Sequence, residues 1–196
     1  MRVVAGRFRG ARLTAPKGQA TRPTSDRIRE ALFNILEHGL PDFALDDARV
    51  LDLFAGTGAL GLEALSRGAR FCLFVDQSDE ARGLIRRNIE ALQLTGATKV
   101  WRRDATRLGD VGTMAPFDLL FLDPPYGQGL GETALAAALE GGWIVPGGIA
   151  VLEERTDAEI PAPEGFEGLD RRTYGDTQVV FLRAAETATP PTPPSA

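Results

Sequence analysis

Residues 117–126, Phe-Asp-Leu-Leu-Phe-Leu-Asp-Pro-Pro-Tyr, set the tightest constraint on the fold. The apolar run through Leu122 reads as a strand buried on both faces of a parallel sheet. Pro124 and Pro125 cannot continue a hydrogen-bond ladder, so the chain must leave the sheet there. Asp123, the Pro124 carbonyl and the Tyr126 ring then lie at the carboxyl end of a strand, where open α/β sheets bind ligands. A carboxylate and a carbonyl accept hydrogen bonds, and a ring offers a stacking face. The set suits a flat base carrying an exocyclic NH2 group. For these four residues alone, a plain proline turn is an equal reading.

A second strand end adds to this one. The run 49–54 is followed by Ala55-Gly56-Thr57-Gly58-Ala59-Leu60-Gly61 and a helical segment over 60–67. The pattern is G-x-G-x-x-G with a strand before it and a helix after it, the context in which glycines let backbone approach a ligand. Asp52 precedes the glycines, which a dinucleotide site does not require. The strand 71–75 ends at Asp76, twenty residues after Gly56, the spacing of a group that binds ribose hydroxyls. A short strand at 99–101 ends in Arg102-Arg103-Asp104-Ala105, bringing Asp104 to the same edge. Further helices are expected at 78–94 and 130–139. A strand at 148–153 follows the turn Pro146-Gly147-Gly148, and a hairpin over 168–183 turns at Tyr174-Gly175-Asp176. The expected fold is α/β: a doubly wound, Rossmann-like sheet of seven strands with the last antiparallel.

The net charge of −5 conceals an asymmetry. Residues 1–30 carry Arg2, Arg7, Arg9, Arg12, Lys17, Arg22, Arg27 and Arg29 against Asp26 and Glu30, a net +6, which leaves −11 for the rest. A basic arm on an acidic body points to a localised anionic partner, with nucleic acid as the first candidate. Within the arm, 2–14 reads as a small β-hairpin. It sets Phe8 between Arg7 and Arg9 as a stacking ring flanked by phosphate-binding cations; a Phe8 packed on the main domain is the competing account. A helix opens at Pro23-Thr24-Ser25-Asp26, with an apolar stripe of Ile28, Ala31, Leu32, Ile35 and Leu36 and a stop at Gly39 and Pro41. Arg22, Arg27 and Arg29 gather at its amino end, which attracts anions.

These features suggest three parts: a basic extension over 1–40, a main domain over 41–184 and a Pro-rich, disordered tail over 185–196. With one cysteine, Cys72, in an apolar run, and one histidine, no zinc cluster and no metal are expected. Residues 1–10 are basic without an apolar core segment, and no apolar run reaches the length of a membrane span. A cytoplasmic protein is expected, with no membrane association.

Residues 52–61, Asp76, Asp104 and Asp123-Pro124-Pro125-Tyr126 together resemble the class I methyltransferases that use S-adenosylmethionine and modify exocyclic amines. The run 22–36, the run 62–69 and Tyr174-Gly175-Asp176-Thr177 narrow the resemblance to the bacterial RsmD family, which methylates guanine N2 in 16S ribosomal RNA of the small subunit. The resemblance spans residues 2–183. It implies that Ala55, Gly56, Gly58 and Asp52 hold the methionine end of the cofactor, that Asp76 takes the ribose, and that Asp104 and Ala105 take the adenine. It also implies that Asp123 and the Pro124 carbonyl accept from the guanine amine while Tyr126 stacks on the base. The same corner would suit an adenine-N6 methyltransferase. A nicotinamide-dependent dehydrogenase would share the glycines only, and a non-catalytic RNA-binding module would lack the acceptors. The expected partner is ribosomal RNA or the small subunit, met by a monomer through Arg7, Phe8, Arg9, Arg12, Arg22, Arg27 and Arg29.

Overall fold

The structure, a computed structural model, describes residues 1–16 and 24–186. Lys17, Arg22, the Thr24 and Ser25 side chains and the tail from 187 onward lie outside the described residues. The element order is α1 (Thr24–His38), β1 (Arg49–Leu53), α2 (Ala59–Ser66), β2 (Phe71–Val75), α3 (Asp79–Ala91), β3 (Thr98–Trp101) and β4 (Phe117–Leu122). It continues with α4 (Leu130–Glu140), β5 (Ile144–Arg155), β6 (Phe166–Tyr174) and β7 (Thr177–Ala184). The strands form one sheet in the order β3-β2-β1-β4-β5-β7-β6. Strands β1 to β5 pair in parallel, and β7 runs antiparallel between β5 and β6. The seven strands and the antiparallel last strand match the expectation.

Side chains of a strand alternate between faces, and here both faces are covered. Val50, Phe74, Leu119, Phe121 and Val151 pack with Leu32, Phe33, Leu62 and Ile85 of α1, α2 and α3. Their neighbours Leu51, Leu73, Leu120, Leu122 and Leu152 pack with Ala134, Leu135 and Ala138 of α4. The apolar runs in the sequence are therefore two interleaved half-cores. Cys72 is buried in the first of these, and the hydrophobic surroundings push its thiol pKa up, consistent with a structural role.

Several boundaries differ from the sequence reading. Strand β5 starts at Ile144 rather than after the Pro146-Gly147-Gly148 turn. Phe117 pairs with Ile144 but Leu119 with Ile149, so Pro146 and the glycines form an irregularity inside the strand. Helix α3 stops at Ala91 because Gln93 takes a left-handed φ of 56° and Leu94 N donates to the Ile89 carbonyl at 2.9 Å. The N-terminal hairpin reduces to a single bridge, Arg2 with Arg12, around a turned segment.

That arm is seated by polar groups. Glu63 of α2 is fully buried, and its carboxylate accepts from Val4 N at 2.8 Å and Ala5 N at 2.9 Å. Arg67 Nε donates to it at 2.8 Å, and Arg29 Nε lies 3.8 Å away. Ser66 Oγ donates to the Ala5 carbonyl and accepts from Phe8 N. Asn88, buried on α3, accepts from Thr14 N at 2.7 Å and donates to the carbonyls of Thr14 and Thr57. Val3 and Leu13 are buried beside α1, so the arm shares the main hydrophobic core.

Removing one partner of a buried charge network leaves the others uncompensated. Glu63→Ala is expected to lower unfolding free energy by about 3–5 kcal/mol, with faster proteolysis near Val4 and Ala5. Urea titration and timed proteolysis check this; a loss under about 1 kcal/mol would mean that water replaces the carboxylate.

Candidate functional site

The carboxyl ends of β1, β2, β4 and β5 open onto a cleft of about 720 Å3. Asp52, the loop from Phe54 to Thr57, Ser78, Asp123 to Tyr126, Glu153 and Thr177 line its polar side, and Ile28 and Leu32 of α1 contribute an apolar edge. The structure thus brings the first and fourth strand ends to one surface.

The glycine loop is a tight device. Phe54 takes a left-handed φ of 56°, unusual for a bulky residue, as the chain turns out of β1. Gly56 and Gly58 continue the turn at φ 58° and 78°. Gly61 lies so close to the sheet that a Cβ would stand 2.4 Å from the Phe74 ring and 2.5 Å from Cys72 Sγ. A side chain there would force α2 away from β2.

Asp52 is buried beneath this loop at the floor of the cleft, and its Oδ2 accepts from Gly61 N at 3.0 Å. Burial raises its pKa to about 8, only partly offset by that hydrogen bond. In a dinucleotide site the helix amino terminus faces a pyrophosphate. Here the Asp52 carboxyl takes the Gly61 N–H, and the cleft carries the carboxylates of Glu80, Asp123 and Glu153. Arg29 also lines it, but its guanidinium is engaged internally. The field disfavours a phosphorylated cofactor and suits a cationic one.

Asp76 braces the loop from β2. Its Oδ2 accepts from Gly56 N at 2.9 Å and its Oδ1 from Ser78 N at 2.8 Å. A carboxylate has about four acceptor sites, so capacity for two ribose hydroxyls is retained. Arg82, buried on α3, holds the turn by donating to the carbonyls of Asp76 and Gln77 at 3.0 and 2.7 Å. Asp104 adjoins Gln77 but accepts from Thr106 N and Oγ1 at 2.9 and 2.7 Å, which lowers its pKa. Gly58, Asp76, Asp104 and Ala105 stand outside the cleft lining, and Ala105 is buried in the core.

At the Asp-Pro-Pro-Tyr corner, Asp123 is exposed and Pro124 buried. The Tyr126 hydroxyl donates to Glu153 Oε1; burial first, and then that carboxylate, push its pKa further above the usual tyrosine value. Glu154, buried on the other face of β5, accepts from Gly127 N at 3.0 and 3.2 Å and so pins the exit of the corner. Neither glutamate was singled out in the sequence. Their signal was the continuation of β5 beside β4, with Leu122 and Leu152 in register, which puts the next residues beside Asp123.

The arm and its helix are corrected in three places. Arg29 is 4% exposed; it bonds Asp26 at 2.7 Å and the Arg2 carbonyl, so it is a structural cation and not part of an exposed patch. The buried face of α1 comprises Ile28, Arg29, Leu32, Phe33 and Leu36, a stripe rotated by one position from the expected one. Phe8 is half-buried against the core with the Arg7 guanidinium 4.6 Å above its ring, so the packed account holds for it. Arg7, Arg9, Arg12 and Arg27 are exposed.

A seven-strand sheet with this order and a glycine loop backed by strand-end carboxylates defines the Rossmann-like methyltransferase class. The solved structure named "Putative methyltransferase yhhF" from Escherichia coli superposes with a TM-score of 0.81 at 28% identity, covering 95% of this chain and 99% of that one. The family described as Conserved hypothetical protein 95 matches residues 1–183. Ribosomal RNA small subunit methyltransferase D of Escherichia coli K12 is 34% identical over 161 residues, 82% of this chain and 78% of the relative. "Putative rRNA methyltransferase YlbH" of Bacillus subtilis is 38% identical over 186 residues, 93% of this chain and 98% of the relative. The chain belongs to this family, that of ribosomal RNA small subunit methyltransferase D, or RsmD.

The pKa of Asp52 sets a pH signature. The folded chain keeps the proton up to about pH 8, whereas the unfolded chain releases it above the ordinary value of 3.8. This stability contribution therefore falls as pH rises between the two values, by up to about 1.4 kcal/mol per unit, and is flat above them. Asp52→Asn is expected to remove the slope. Denaturant midpoints of both proteins between about pH 6 and 8 check it; parallel curves would mean that Asp52 is already ionised.

Proposed function

We propose that this protein transfers a methyl group from S-adenosylmethionine to the exocyclic N2 amine of a guanine in small-subunit ribosomal RNA. The observation that carries the reading is the acidic cleft itself. It joins a glycine loop backed by buried Asp52 to the Asp-Pro-Pro-Tyr corner on one surface. The names of the relatives, which describe ribosomal RNA methyltransferases, support the substrate class.

S-adenosylmethionine carries a sulfonium and an ammonium, so an acidic pocket fits its charge. Asp52 and the glycine loop would hold the methionine end, and Asp76 the ribose. Asp104, reoriented from Thr106, would take the adenine. S-adenosylmethionine, when bound, would supply a methyl group on a cationic sulfur that departs as a neutral thioether, and the accepting amine would lose one proton. An aromatic amine is a weak nucleophile because its lone pair is delocalised into the ring. Asp123 and the Pro124 carbonyl, by accepting its two N–H groups, favour a pyramidal nitrogen and aim the lone pair. Asp123 would also receive the departing proton. Tyr126 packs on the base, which must leave its stack to enter. Positioning and fixed charge are then the protein's contribution to rate. Mass-spectrometric mapping of ribosomal RNA from a deletion strain tests the reading, since a missing guanine-N2 methyl is the expected lesion.

Asp123→Ala is expected to cut turnover by about a hundredfold or more with little change in cofactor affinity. Asp76→Asn is expected to do the reverse, weakening the cofactor by about 1.5–3 kcal/mol. Single-turnover assays and calorimetry separate the two, and near-normal turnover of the Asp123 variant would remove the corner from the mechanism.

RNA is proposed to bind the exposed cations Arg7, Arg9, Arg12 and Arg27. Replacing Arg9, Arg12 and Arg27 with Gln is expected to weaken RNA binding and flatten its dependence on salt, because each lost phosphate contact releases fewer counterions. Cofactor affinity is expected to stay unchanged. RNA titrations at several salt concentrations check this; an unchanged slope would move the RNA surface elsewhere.

A further inference from the structure

We propose that Glu153 is a specificity-determining residue that accepts the N1–H of the target guanine while Asp123 accepts from the 2-amino group. The proposal rests on the guanine-N2 reading above. Strands β4 and β5 are parallel neighbours with Leu122 opposite Leu152, so Asp123, where the chain leaves β4, and Glu153, still paired within β5, stand side by side. Both line the cleft with Tyr126. Successive residues of a strand face opposite ways, and Glu154 spends its carboxylate on Gly127 N and Arg155 N, which leaves Glu153 as the β5 group on the cleft side. Glu153 Oε1 accepts the Tyr126 hydroxyl, which ties the carboxylate to the ring proposed to pack on the base. A carboxylate has about four acceptor sites, so this bond is compatible with a further donor.

The chemistry of the base edge makes the pairing selective. Guanine presents N1–H and the 2-amino group as adjacent donors, matched by two adjacent carboxylates. Adenine presents its amine beside a bare N1, whose lone pair would oppose a carboxylate. 2-Aminopurine carries the same 2-amino group as guanine but also has a bare N1. Discrimination between guanine and 2-aminopurine therefore reads the N1–H contact separately from the reacting amine.

The test uses the full chain and small subunits reconstituted with ribosomal RNA carrying guanine or 2-aminopurine at the base that the mapping identifies. Wild type is expected to prefer guanine. Glu153→Gln keeps an acceptor for Tyr126 and adds a donor that fits a bare N1. It is expected to lower turnover of guanine and to shrink the preference by about tenfold or more. Tyr126→Phe, which removes only the hydroxyl bonded to Glu153, is the comparison and is expected to slow both bases alike. If Glu153→Gln also slowed both bases alike, Glu153 would merely orient Tyr126 and the proposal would fall. If wild type methylated adenine N6 and no guanine, the guanine reading itself would fail, and base analysis of the product distinguishes that result from the first.

Discussion

The buried carboxylate of Glu63 is the contact on which the arrangement of arm, first helix and cleft depends. It sits on α2, the helix that the glycine loop opens, and accepts the Val4 and Ala5 amides while meeting Arg29 and Arg67. Burying a charge is costly unless it is paired and hydrogen-bonded. The cost here is offset by three hydrogen-bond donors, Val4 N, Ala5 N and Arg67 Nε, and by the nearby charge of Arg29. Because Arg29 belongs to α1, the same carboxylate sets how α1 lies against α2, and hence where Ile28 and Leu32 border the cleft. Asn88 repeats the device on α3, joining Thr14 of the arm to Thr57 of the glycine loop. The arm is thus fastened to the loop that would hold the cofactor.

The sheet contributes the opposite property, rigidity at the strand ends. Each central strand sends alternate side chains into two covered layers, so its register cannot slip without exposing an apolar row. Asp52 faces the same layer as Val50 and is carried beneath the glycine loop by that alternation. Glu153 and Glu154 divide between the two sides of β5 in the same way: one faces the cleft and the other pins Gly127. Positions near the proposed chemistry are therefore set by backbone pairing, while the loops supply only the turns.

Much of this was legible in the sequence because the signals were local. Proline after an apolar run ends a strand, and glycines between strand and helix make a loop, so the positions of Asp123, Tyr126, Gly56 and Asp76 followed from neighbours in the chain. What escaped depended on partners far away. Glu63 sits in an otherwise apolar helix, and its role is defined by amides 58 and 59 positions earlier. Arg29 resembled the exposed arginines around it, but the helix phase turns it inward with Phe33. Glu153 was hidden because β5 was read as ending there, whereas its pairing with β7 runs on to Arg155 opposite Thr177.

The charge asymmetry of the chain acquires a physical meaning on the proposed reading. A cationic cofactor and a polyanionic RNA need fields of opposite sign within one protein. Surface charges are screened over about 8 Å at physiological salt, so the two fields can coexist only if each is kept local. The cofactor side is local because Asp52 is buried, where screening is weak and its ionisation responds to what binds beside it. A nearby cation would lower its pKa from about 8 toward the ionised form, so the empty and loaded clefts differ in charge by less than the cofactor alone would impose. The RNA side is local because the exposed arginines stand on an arm whose own structural cation, Arg29, is already paired with Asp26 and approaches Glu63. Neutralising that one cation internally leaves the others to face solvent, and it keeps the boundary between the two fields at the buried network.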